Sequence, residues 1–347
     1  MKNICNLILI VSLFGFSSAA YAQKTWEQAL PLLQKHQRTA AENQHVLSLF
    51  RSTSDPYTIF AAGASLVKNP PAKVQEPALF SILMKNEDPL KKTFAAVIIT
   101  AMGQTHEELL PVLQEARQSQ DAVLRAYAAT AEVIIAPSKT ELADEVVLLY
   151  SYDPTFAKRA MHLLAEDTSE QIKYLKKAGK SKEMAVRGAA AAWLGTFHTQ
   201  QAANELLKLA KSEKDANASA QIATALAKNR EYTLSEVTKE LKRSYKSPQS
   251  ATYALALGFM TGNAAEIVRQ GLLNENKNIR INSARAAAYM AGVLSNPDAF
   301  AYTSDRTFDI SLLKGMIPQL NVLAADPKAP EAPYAANALT QIEKLMD

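Results

Sequence analysis

The sequence predicts an all-α protein, an α-solenoid of about eight to nine stacked helix pairs. Three observations lead there. A unit recurs roughly every 30 residues, each copy contains an alanine-rich apolar stretch, and the 347-residue chain holds only 11 glycines and few β-branched runs. That balance favours helix throughout, and a fixed period of this length marks a repeat architecture.

Each copy opens on a small polar or acidic anchor followed by an apolar run. The anchors are Asp55, Asp88, Asp121, Asp153, Glu183, Asp215, Ser247 and Asn276, spaced by 33, 33, 32, 30, 32, 32 and 29 residues. Asp, Ser and Asn side chains accept hydrogen bonds from the free amides of a first helical turn, so the anchors read as N-caps. Pro56, Pro89, Pro154 and Pro248 follow four of them, at the one helical position where a missing N–H does no harm. A degenerate ninth copy is expected from Asp326, where Pro327 follows, with a capping helix reaching Met346.

A period near 32 residues leaves room for a second helix in each unit. In Leu110-Pro111-Val112-Leu113, Ile317-Pro318-Gln319-Leu320 and Leu30-Pro31-Leu32-Leu33 that partner helix carries a proline among apolar residues. An interior proline is expected to kink it.

Val186-Arg187-Gly188-Ala189-Ala190-Ala191-Ala192-Trp193-Leu194-Gly195 resembles the second helix of a HEAT repeat, closest to the short bacterial variety that also occurs in phycobilin lyases. Leu124-Arg125 and Ile279-Arg280 match its hydrophobic-Arg step and Lys92 stands in a similar place, whereas Ile59, Ala157, Ser219 and Ala251 depart from it. The resemblance covers residues 55–292 and implies a HEAT-like superhelix. It implies little about activity, because this fold carries many unrelated roles. Around the repeats, residues 23–54 are expected to form N-terminal capping helices, 293–310 an inserted loop, and 311–347 the degenerate repeat and cap. Arg125, Arg187 and Arg280 are expected either to pair with acids of their own or the next unit as a ladder, or to line a binding face.

Residues 1–22 read as a secretory signal peptide. Lys2 precedes a mostly apolar Ile4–Phe16, and Ala20-Tyr21-Ala22 forms a small-x-small cleavage site before Gln23. The expected location is periplasmic or secreted. The only cysteine, Cys5, lies inside this segment, so the exported chain has no thiol for a disulfide, a nucleophile or a metal. It holds 37 basic and 34 acidic residues, too even a balance to announce a nucleic-acid binder.

The chemical motifs give no catalytic site, metal site or cofactor. His36, His45, His106, His162 and His198 never pair at metal-ligand spacing, and no nucleophile elbow or phosphate loop occurs. His162, inside an apolar run, is expected to be a hydrogen-bonded core histidine. The pairs Glu107/Glu108 and Asp144/Glu145 read as solvated surface.

Two features point to binding. Residues 170–250 carry 15 basic residues against 8 acidic ones. Lys173, Lys176, Lys177 and Lys180 fall on one helical face opposite Ile172, Leu175 and Ala178, and Lys208, Lys211, Lys242, Arg243 and Lys246 continue the excess. The second is the insertion, with Phe300, Tyr302 and Phe308 among turn residues, placed either as anchors of a binding loop or as a cover over the last repeats. The functional expectation is a monomeric, non-enzymatic scaffold for a protein partner. The alternatives are an envelope tether that meets an anionic wall polymer or lipid headgroups through the lysines, and a helical-repeat wall-active enzyme.

Overall fold

The computed structural model describes residues 29–346 apart from 36, 86–87 and 297–305. Among these the chain is all-helical, with nineteen α-helices between Ala40 and Met346 that pack neighbour to neighbour within each of two compact units, an arrangement compatible with an α-solenoid. The signal-peptide segment lies outside the described residues, as do His36, Phe300 and Tyr302. The chain divides into the two units after Gln171.

The first unit contains α1 (Ala40–Ser52), α2 (Pro56–Lys68), α3 (Glu76–Lys85), α4 (Pro89–Ala101), α5 (Leu110–Ala116), α6 (Ala122–Ile135), α7 (Ala143–Leu149) and α8 (Pro154–Leu164). The second begins in α9 (Thr168–Ala178). It continues through α10 (Met184–Leu194), α11 (Gln200–Ser212), α12 (Ala216–Lys228), α13 (Arg230–Lys239), α14 (Pro248–Met260) and α15 (Gly262–Leu272). It ends with α16 (Lys277–Ser295), α17 (Arg306–Lys314), α18 (Ile317–Ala324) and α19 (Ala332–Met346).

All eight anchors are the N-cap residues of α2, α4, α6, α8, α10, α12, α14 and α16. Six of them accept amide hydrogen bonds with their side chains, as Asp121 does from Val123 and Leu124 at 2.8 and 2.9 Å. Glu183 and Ser247 cap without one. The ninth differs: the Asp326 side chain accepts from the Lys328 amide in a turn, and α19 starts only at Ala332. Pro330 disfavours helical backbone at Ala329, which delays the start.

Most of the anchored helices are apolar on all sides, and the core lies along them. In α4 every residue from Thr93 to Thr100 is buried, the pattern of a helix with neighbours all round. In the first unit α2 packs on α4 and α4 on α6. Phe60, Phe94 and Tyr127, one from each, form an aromatic cluster with ring centroids 5.1, 5.5 and 6.4 Å apart. The fourth anchored helix, α8, packs on α6 and reaches back to α2, while Arg159 donates to the carbonyls of Thr100 and Ala101 at the end of α4, both at 3.2 Å. Only its 153/156/157/160/161 face is buried. His162 therefore faces outward and is exposed, not a core histidine as the apolar run suggested.

In the second unit α10, α12, α14, α16 and α19 pack each on the next. Small residues set the spacing: a Cβ built on Gly258 of α14 would lie 2.6 Å from Cβ of Tyr289 in α16. The partner helices α9 and α11 bury one stripe each, Ile172, Leu175 and Ala178 in α9.

Two of the three prolines expected inside partner helices sit at helix starts instead. Pro111 and Pro318 occupy the first turns of α5 and α18. There a missing N–H costs no hydrogen bond of the helix and no kink is required.

Candidate functional site

The lysine-rich surface of the second unit is built on α9, α11 and the end of α13. Lys173, Lys176 and Lys177 project from the exposed side of α9, and Lys180 is exposed just beyond its end. Lys208 and Lys211 are exposed on α11, and Lys242 closes the 3₁₀ turn Glu240–Lys242 that follows α13. Lys176, Lys177, Lys211 and Lys239 stand in last turns of these helices, where cations are favoured by the exposed carbonyls.

Carboxylates interleave with this array. Glu205 lies 2.7 Å from Lys208 and 3.7 Å from Lys176. Glu236 pairs with Lys239 at 2.5 Å, and that hydrogen bond, with Lys239 and Lys211 as nearby charges, holds its carboxyl below the usual range. Arg243 is half-buried and pairs with Glu240 at 2.6 Å. The lysines that form no ion pair among the described residues include Lys173, Lys177, Lys180 and Lys242. The array is thus an alternation of charges with a cationic surplus.

The insertion is shorter than its sequence suggested. Helix α16 continues to Ser295 and α17 begins at Arg306, so Phe308 lies on a helix and is 57% exposed. Its neighbour Asp309 is buried against the start of α15, where a Cβ on Gly262 would overlap its carboxylate.

The repeat-position arginines share one geometry. Each donates through Nη1 to the two carbonyls ahead of its own anchor. Arg125 reaches Ser119 and Gln120 at 2.9 and 3.1 Å, Arg187 reaches Ser181 and Lys182 at 3.0 and 3.1 Å, and Arg280 reaches Asn274 and Glu275 at 2.8 and 2.7 Å. Arg187 adds Glu213, and Arg280 adds Glu331 at 2.5 Å. These guanidiniums bind the loops between helices.

Two grooves open on partner-helix surfaces. One, of about 660 Å³, runs between α13 and α15 and is lined by Arg230, Glu231, Leu234, Ser235, Thr238, Lys239 and Ile267. The other, of about 610 Å³, is lined by Lys73, Val74, Glu76, Pro77 and Phe80 in the first unit. There His106 meets Glu76 at 2.8 Å and stacks edge-on to Phe80 at 5.3 Å. The first groove has no sequence signature, because it lies between two helices.

Among the described residues no group of three or more His, Cys, Asp or Glu gathers at metal-holding distance, and no helix is long and apolar enough to cross a membrane. Comparison with known protein families and with curated proteins finds no match to this chain.

Proposed function

We propose that the chain is an exported, non-enzymatic scaffold that holds a protein partner on the surface of a HEAT-like α-solenoid of eight to nine helix pairs. The observation that carries this reading is the regular frame: eight alanine-rich helices, each opened by an anchor cap and packed on its neighbours within its unit. Stacked repeats of this kind present extended surfaces suited to macromolecular partners. The test is crosslinking in cells from photoreactive side chains placed at exposed positions of successive partner helices. One protein captured reproducibly from a set of adjoining positions supports the scaffold. Absence of any protein above the level of an uninduced control, at every position, overturns it.

The second reading, an envelope tether, is favoured by the lysines left outside ion pairs, Lys173, Lys177, Lys180 and Lys242. Cosedimentation with phosphatidylglycerol vesicles that is lost in high salt, and lost on charge reversal of Lys173 and Lys177, would select it.

A further inference from the structure

The groove between α13 and α15 sets two apolar side chains, Leu234 and Ile267, among polar ones, with a cationic surplus at one end. Helix α13 packs on α11, whereas α13 and α15 stand apart and leave the space open. Leu234 and Ile267 are only half-buried there, although the stripe they form would be covered in a closely packed pair of helices. The groove is open and of about 660 Å³, room for a few side chains and not for a whole domain.

Its border is polar in a particular direction. Glu266 is satisfied by Arg269 at 2.7 Å and by Gln270 at 2.9 Å, and Glu236 by Lys239. Beyond Lys239 come Lys242, with no ion pair, and Lys211 on the neighbouring helix. The carboxyl end of α13 therefore carries a cationic surplus, while at the opposite end Arg230 and Glu231 balance each other.

We infer that this groove receives an acidic amphipathic segment of a partner protein. Its apolar side chains settle over Leu234 and Ile267, and its carboxylates lie toward Lys239, Lys242 and Lys211. The inference rests on the scaffold reading and specifies the chemistry of the partner. A helix laid in a groove by its apolar stripe is a recurrent mode of recognition, and the charge border sets its direction. An anionic lipid surface would use the lysines without needing the groove.

The probe is a fluorescein-labelled peptide of about four helical turns with leucines on one face and glutamates elsewhere, titrated against the purified exported protein by anisotropy. Two controls accompany it, one with lysine for every glutamate and one with serine for every leucine. The glutamate–leucine peptide is expected to bind at least tenfold tighter than either control. Ser235→Trp, which fills the groove from an exposed position, and the pair Lys239→Glu with Lys242→Glu are each expected to weaken it tenfold or more, with unchanged circular dichroism. Equal binding of the acidic and basic peptides, or full affinity after Ser235→Trp, overturns the inference, as does phosphatidylglycerol-vesicle binding in place of peptide binding. If cellular crosslinks then capture a protein from another face, the scaffold reading stands without this groove. If no face captures one, the scaffold reading fails as well.

Discussion

Arg187 on α10 grips Glu213, two residues ahead of the next anchor, with a two-pronged contact: Nε donates to Oε2 at 2.7 Å and Nη2 to Oε1 at 3.0 Å. Glu213 also accepts from the amides of Lys214 and Asp215, both at 2.9 Å. A single buried carboxylate thus fixes the loop before α12 to the first turn of α10. Burial pushes the Glu213 carboxyl up, but the hydrogen bonds from Arg187 and the two amides outweigh it and hold it below its ordinary value.

Because that value is depressed on folding, the contact stabilises the protein at pH above the unfolded glutamate value of about 4.5. The contribution is lost as pH falls through the folded value. Arg187→Leu is expected to cost about 2 kcal/mol at pH 7, the scale for hydrogen bonds to a charged group. Urea titrations at pH 7 and in the acid range check both statements: the gap between wild type and variant should narrow as the solution is acidified.

Asp153 is expected to act with the opposite sign. It caps α8 through the Phe156 amide at 3.1 Å, is almost wholly buried, and keeps one carboxyl oxygen without a hydrogen-bond partner. Burial raises its carboxyl above the ordinary value of 3.8, against the hydrogen bond from Phe156 and the charge of Lys68. The folded state then holds the proton more tightly than the unfolded chain, so stability falls as pH rises through that window. Asp153→Asn retains the capping oxygen and removes the titration. Measured against wild type, its relative stability should rise with pH across the acid range and level off near neutrality. A flat difference would show that Asp153 is ionised at no cost.

A buried carboxylate in the first unit is shared by two cations. Glu132 has no exposed side-chain surface and meets Arg117 at 2.9 Å and Lys139 at 3.6 Å, both of which reach solvent. Removing Arg117 leaves the buried charge with only the longer contact to Lys139, whereas removing the acid lets both cations turn to water. Arg117→Leu is therefore expected to cost about 3 kcal/mol, clearly more than Glu132→Leu. Thermal denaturation of the two single variants measures the asymmetry, and equal losses would refute it.

The helical frame was legible because its signals are local. A cap residue acts on the amides two and three positions on, so the anchors could be read from Asp55 to Asn276 one by one, including Glu183 and Ser247, whose side chains bond no amide. Likewise the stripe Ile172, Leu175 and Ala178 places the α9 lysines outward from sequence spacing alone. What escaped was set between helices. The exposure of His162 follows from α8 turning back over α2 and α4, which no spacing within α8 records. The proline segments misled because Pro111 and Pro318 look interior until the start of the helix is known. Glu205 and Glu236 pair with Lys208 and Lys239 three residues on in their own helices, a spacing the sequence carries, and only the contact of Glu205 with Lys176 is set between helices. The α13–α15 groove has the same origin.

Two glycines inside helices of the second unit provide a last test of how closely those helices must approach. Gly258 in α14 has no room for a side chain: besides Tyr289 Cβ, an added Cβ would lie 3.2 Å from the Tyr289 carbonyl carbon and 3.3 Å from the Met290 nitrogen. These are backbone atoms that move only if α16 moves. Gly292, in α16, has nothing within 4 Å of the same position. Alanine gains about 1 kcal/mol over glycine in a helix interior, and at Gly292 nothing opposes that gain. At Gly258 overpacking of about 1–3 kcal/mol works against it. Gly292→Ala should therefore raise the melting temperature and Gly258→Ala lower it, although the two substitutions are chemically identical. Opposite shifts would establish that close approach of α14 and α16, rather than helix propensity, retains the glycine; a rise in both would mean that α16 yields to the extra methyl group.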